Sequence, residues 1–214
     1  MKKLLIGALS LFFLCSCTTV YYKSWELLGR EKRDLLSSNI ESLKGEQEDA
    51  KEEFSDVLER MRSEYIGEKQ SLAETYSDFK SDYDDIKDEV DDVTSRLNRI
   101  DGLAKALFKE WLLEANEFDS REYRRKSLAK RGETMRSFNK YMKSTRALEA
   151  GMNQSLKSLQ DEVVFLKHNL NSQIVSQFNV KLATLEKDME KIIGKIEKSI
   201  EGTDSYIKEI RRLD

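Results

Sequence analysis

The chain of 214 residues carries 40 acidic and 37 basic side chains, a formal net charge of −3, with one histidine, two cysteines and no proline. That acidic balance argues against nucleic acid as a partner. A single imidazole is too few for a zinc site, which needs three or four nitrogen or sulfur ligands. Charged residues make up 36% of the chain, and with sustained apolar heptads this composition reads as long helices rather than disorder.

Lys2 and Lys3 precede an apolar run from Leu4 to Leu14, which ends in Leu14-Cys15-Ser16-Cys17. The run is too short to cross a bilayer as a helix, which takes roughly 20 residues, so it reads as a cleaved signal. Small Ser16 before Cys17 resembles the bacterial lipobox. That resemblance implies lipid transfer to the Cys17 thiol and cleavage before it. Residues 1–16 are then signal, 17–20 a lipidated tether and 21–214 a single helical domain. Two or three acyl chains hold such a protein firmly, because each buried methylene contributes about 0.8 kcal/mol. Thr18 in place of Asp implies the outer membrane, facing the periplasm, by the sorting rule of enteric-type bacteria. In lineages without that rule the inner membrane is the alternative. Cys15 leaves with the signal and Cys17 is lipidated, so the mature chain has no thiol for a disulfide or a metal.

Tyr21, Tyr22 and Trp25 come next, as rings suited either to the headgroup level or to the start of a core. The first helix is predicted from about Tyr22 to Tyr65, on a stripe of Leu36, Ile40, Leu43, Gln47, Ala50, Phe54, Val57 and Met61. Steps of four and three define a coiled-coil seam, and Gln47 is a polar residue able to set its register. Gly67 suits a helix end, and Ser71 with Glu74 reads as a capping box. The second helix runs from Leu72 to about Ala115, on Leu72, Tyr76, Phe79, Tyr83, Ile86, Val90, Val93, Leu97, Ile100, Ala104, Leu107 and Trp111. Asp119 with Glu122 is expected to cap the third, from about Ser120 to Lys167, with Gly132 and Gly151 marking close approach or weak spots. A corner at His168 to Ser172 leads into the fourth, which ends near Arg212. An unbroken third and fourth helix is the competing pattern there.

Four helices of about 65–70 Å each, joined by short turns, predict an all-α fold: a long antiparallel coiled-coil bundle running up-down-up-down. An elongated helical hairpin is the alternative. Acidic residues gather on the second helix from Asp78 to Asp92, with Asp82, Asp84 and Asp85 read as a solvated face. A basic cluster opens the third: Arg121, Arg124, Arg125, Lys126, Lys130 and Arg131 against Glu122. Up-down order places that cluster at the lipidated end, where it is expected to meet anionic headgroups. His168, Asn169 and Asn171 fall at the far end, as a candidate partner contact.

Three stretches, Glu31-Lys32-Arg33-Asp34-Leu35-Leu36, Ala106-Leu107-Phe108-Lys109-Glu110-Trp111 and Phe165-Leu166-Lys167-His168-Asn169-Leu170-Asn171, resemble a bacterial lipoprotein family, domain of unknown function 2959. The likeness spans nearly the whole mature chain. It implies a membrane-attached coiled-coil protein and brings no catalytic residues. The resulting expectation is a lipid-anchored structural or adaptor protein of the cell envelope, with no cofactor and no metal, acting on an envelope protein partner. A lipid- or peptidoglycan-binding module is the alternative, and an apolar cavity inside the bundle would be its sign. Catalysis is not expected, since no nucleophile–base pair or metal-ligand set is evident. Leu27, Leu112 and Val175 are left over for self-association.

Overall fold

The computed structural model describes residues 17–63, 71–169 and 175–211, with side chains over 32–63, 71–169 and 177–210. Residues 1–16, where the signal is expected, Gly67 and Asn171, and the side chains of Cys17, Tyr21, Tyr22, Trp25, Leu27 and Val175, lie outside that range.

The heptad stripes become four helices: α1 Cys17–Ser63, α2 Leu72–Glu117, α3 Arg121–His168 and α4 Val175–Arg211. Every stripe residue named for α1 is buried, and on α2 the run from Ile86 to Leu107 is buried at each expected position. Helix α1 packs on α2 and α4, and α3 packs on the same two, so the helices stand at the corners of a square. Cross-helix partners fix the direction of every side. Glu46 meets Arg96 and Arg60 meets Asp82. Asn98 meets Arg146, and Trp111 meets Ser127. Glu162 meets Lys181, and Lys44 meets Asp204. Residue numbers rise on one helix as they fall on its neighbour, so all four sides are antiparallel. At 46 residues, α2 is about 69 Å long.

The expected capping box at Ser71 is present: Ser71 Oγ accepts from Glu74 N–H, and the Glu74 carboxylate accepts from Ser71 N–H (2.9 Å). At the other break the expectation is corrected. Ser120, not Asp119, is the N-cap of α3, and its Oγ accepts from Tyr123 N–H. The cap falls one residue later than expected, which puts Tyr123 rather than Glu122 at the third helical position, so no box can close. Helix α3 ends at His168, where Asn169 donates its N–H to the Leu166 carbonyl and its side-chain amide to that of Phe165. With Lys181 reaching back to Glu162, the third and fourth helices are separate. The elongated hairpin is thereby excluded.

Asp82 is a second correction. It is 4% exposed and accepts from Arg60 at 2.8 Å, so it belongs to the α1–α2 interior and not to a solvated face. Asp84 and Asp85 remain on the outside. The interior glycines also divide. A Cβ on Gly151 would meet Ile192 Cδ1 of α4 at 3.0 Å, which makes Gly151 a point of close approach; at Gly132 only Arg136 of its own helix is near. Gly102 and Gly202 have no heavy atom within 4 Å of an added Cβ, so they leave their helices weak with no packing in return. The pair Gly102→Ala and Gly202→Ala is expected to raise stability by about 2 kcal/mol, at about 1 kcal/mol each. Thermal unfolding checks this, and an unchanged midpoint would mean that the bare glycines serve some other end.

Candidate functional site

Cations in a short turn between two long helices have three fates: solvent, a carboxylate, or a backbone carbonyl left open by a helix end. The α2–α3 turn, Phe118 to Ser120, uses all three. Arg124 Nη2 donates to the Phe118 carbonyl (2.8 Å), tying off the end of α2. Arg131 Nε donates to the Phe108 carbonyl (2.8 Å), pinning α3 along α2. Lys126 pairs with Glu122 at 2.7 Å and Lys130 with Glu133 at 3.2 Å. Arg121 and Arg125 are exposed. The six basic residues read as one surface cluster thus split into two internal braces, two short-range pairs and two outward cations. The braces were not legible in the chain, because a backbone acceptor across a helix interface leaves no mark in a sequence.

The same turn carries apolar side chains that the basic pattern concealed. Phe118 is 41% exposed and Tyr123 60%, with their rings edge to face at 6.3 Å. Leu112 and Leu113, six and five residues before Phe118 on the last turns of α2, are exposed as well. Ion pairing of Lys32 with Glu110 places the early part of α1 beside the end of α2, and α1 begins at Cys17 beyond that contact. Ser137 bonds Glu209, so α4, described to Arg211, stops short of the turn. Among the described residues, the last turns at this end therefore belong to α1, α2 and α3.

The opposite end carries the helix ends at Ser63, Leu72, His168 and Val175. His168 is exposed, whereas half-buried Asn169 spends its amide closing α3. Of that expected contact set, His168 is the outward group among the described residues.

At mid-height a polar layer crosses the core. Fully buried Gln47 donates from Nε2 to Ser199 Oγ (3.0 Å) and accepts at Oε1 from Thr203 Oγ1 (3.2 Å). Thr203 lies 3.4 Å from the Tyr141 hydroxyl, and the Tyr141 ring stacks on Tyr206 at 4.4 Å. Gln47 is therefore satisfied inside the seam, as a register-setting residue must be. Burial pushes the Tyr141 phenol above its usual value and, joined by the nearby Glu209 carboxylate, pushes Tyr206 well above it.

One side of the square is electrostatically awkward. Antiparallel register sets Asp49, Glu53 and Asp56 of α1 against Asp92, Glu89 and Asp85 of α2. Burial raises the Glu89 carboxyl above its ordinary value, with Asp49, Asp92, Glu53 and Asp88 adding to the effect. Burial likewise raises Glu53; Arg60 opposes this, while Asp85 and Asp56 reinforce it. A carboxyl raised in the folded state binds protons there that the unfolded chain has already released. Its contribution is fully present below the unfolded value and is lost as pH rises through the folded one. Thermal stability is thus expected to increase as pH falls from neutral toward the ordinary carboxylate range, and Glu89→Gln to raise the midpoint at neutral pH and flatten that slope. An equal slope in the variant would remove this seam as its cause.

Cavities are small. An apolar recess of about 160 Å³ lies among Leu36, Leu107, Phe108, Trp111, Tyr206 and Ile210, below the roughly 300–1,000 Å³ of ligand sites. An open cleft of about 300 Å³ between α3 and α4 is lined by hydroxyls, among them Ser137, Ser144 and Ser205. Among the described residues, no group of three or more His, Cys, Asp or Glu is placed to hold a metal ion, and no helix is long and apolar enough to cross a membrane.

Four long antiparallel helices around one continuous apolar core, with a basic and aromatic turn at one end, define a helical-bundle protein of coiled-coil type. The chain belongs to a family of proteins of unknown function, domain of unknown function 2959, whose model matches residues 21–210. No curated protein and no solved structure matches it.

Proposed function

We propose that this protein is a lipid-anchored, non-catalytic spacer or adaptor of the bacterial cell envelope, held at Cys17 in the outer membrane and facing the periplasm. The observation that carries the reading is the direction of the square bundle. Antiparallel order brings the start of α1, next to the lipobox, to the same end as the α2–α3 turn with Arg121 and Arg125. The other end stands about 70 Å away, the length of α1 at 1.5 Å per residue, where His168 and the neighbouring helix ends can meet an envelope protein. The narrow recess and the packed core favour a rod over a lipid carrier.

Photo-crosslinking in living cells tests this, with one probe replacing Arg125 and one replacing His168. Lipid captured at the first and a defined protein at the second is the expected result. Lipid or glycan at both, with no protein, would move the reading to a binding module. Mass analysis of the Cys17 peptide reads the anchor itself, and an unmodified thiol there would end the anchored reading.

A further inference from the structure

Of seven large apolar side chains exposed among the described residues, four lie within a few residues of one turn: Leu112, Leu113, Phe118 and Tyr123. The other three, Leu35, Val164 and Val180, lie elsewhere on the bundle. Single exposed apolar residues are ordinary, whereas a contiguous group marks a contact surface. Arg121 and Arg125, exposed on the first turns of α3, flank Tyr123 in sequence at the same end of the bundle. The group is also rigid. The two rings hold each other edge to face, Ser120 caps α3 beneath them, and Arg124 ties off the Phe118 carbonyl.

We infer that the α2–α3 turn is an insertion element for an anionic phospholipid bilayer. Phe118, Tyr123 and Leu113 enter the boundary between headgroups and acyl chains, and Arg121 and Arg125 pair with the phosphates. Two observations select a membrane as the occupant. The apolar groups are aromatic or aliphatic and share this end with Arg121 and Arg125, which have no carboxylate partner among the described residues, the combination that an anionic interface accepts. The turn is also at the end where α1 begins, so a chain anchored next to Cys17 delivers this surface to the bilayer. The inference rests in part on the anchored reading above, and it adds a second, non-covalent foothold that fixes how the rod stands.

The test uses the full chain with a reporter thiol, Asp119→Cys, carrying an environment-sensitive fluorophore, a far-end control, Val180→Cys, and a parallel pair that also carries Cys15→Ser and Cys17→Ser, so that position 119 or 180 is the sole thiol. All are mixed with phosphatidylcholine vesicles made with and without phosphatidylglycerol and doped with nitroxide lipid. Quenching at position 119, but not 180, is expected in the vesicles containing phosphatidylglycerol. It should fall several-fold with Phe118→Ser and Tyr123→Ser together, or with Arg121→Gln and Arg125→Gln together. All four side chains are exposed, so unchanged thermal unfolding checks that the variants fold. The mass at Cys17 is read in the same samples. A lipidated, vesicle-bound chain whose label at 119 stays unquenched would overturn the insertion and leave the anchor standing. A quenched label on a chain with unmodified Cys17 would keep the insertion and end the anchored reading.

Discussion

Replacing Phe79 by alanine is expected to lower the free energy of unfolding by about 3–5 kcal/mol, the usual range for deleting a fully buried phenylalanine. Phe79 is 0% exposed and meets Phe178 edge to face at 5.7 Å across the α2–α4 diagonal. Each side of the square is made by facing seams, but the diagonals are closed only by side chains long enough to reach the middle. Removing the ring therefore opens a void between α2 and α4 in the buried core, and long helices cannot bend inward to fill it. For a chain of this length the melting temperature should fall by about 6–20 °C. A double-mutant cycle with Phe178→Ala should return a coupling of about 0.5–1.5 kcal/mol. A loss below about 1 kcal/mol for the single change would mean that this end is loosely packed.

The second large effect is at Arg60. Its guanidinium holds Asp82 at 2.8 Å and also reaches Glu53 at 3.2 Å. Arg60→Ala takes the cation from a carboxylate that the fold has withdrawn from water, and the expected loss is about 3 kcal/mol, at the lower end of broken buried pairs because Arg60 itself is half exposed. The double change Arg60→Leu and Asp82→Leu removes both charges and should recover most of that loss. Chemical denaturation of the two variants decides the matter. If the double variant is as weak as the single one, shape rather than charge governs the site.

Most of the architecture was legible in the chain, because a buried seam must recur every three or four residues. Leu36 to Met61 and Ile86 to Leu107 obey that spacing without exception, and the Ser71–Glu74 pair marked one turn unaided. Gln47 stood out as the wrong polarity for its position, and the structure supplies the partners that make it tolerable. What stayed hidden depends on distant neighbours. Asp82 looks like its solvated companions Asp84 and Asp85, because nothing local distinguishes a carboxylate that faces Arg60, 22 residues away. Arg124 and Arg131 look like free cations, because their acceptors are carbonyls that every residue has. Tyr141, Thr145, Thr203 and Tyr206 are buried although polar, and only α1 and the facing turns of α3 and α4 explain why. The exposed aromatic pair at Phe118 and Tyr123 was masked differently. Beside a helix break no apolar period runs far enough to say which way a phenylalanine or a tyrosine faces.

The layer of Gln47, Ser199, Thr203 and Tyr141 has a consequence for measurement along the rod. An apolar seam permits helices to slide by a heptad with little penalty, but a single polar tooth at mid-height admits one alignment only. The distance between the two ends is then set by residue count, as on a ruler with its zero mark engraved. Adding one heptad to every helix on the same side of the tooth preserves each seam and lengthens the rod by about 10.5 Å. Adding it to one helix alone forces a choice between the tooth and the turns. A graded series of such insertions would show whether whatever bridges the two ends in the cell tolerates a longer gauge.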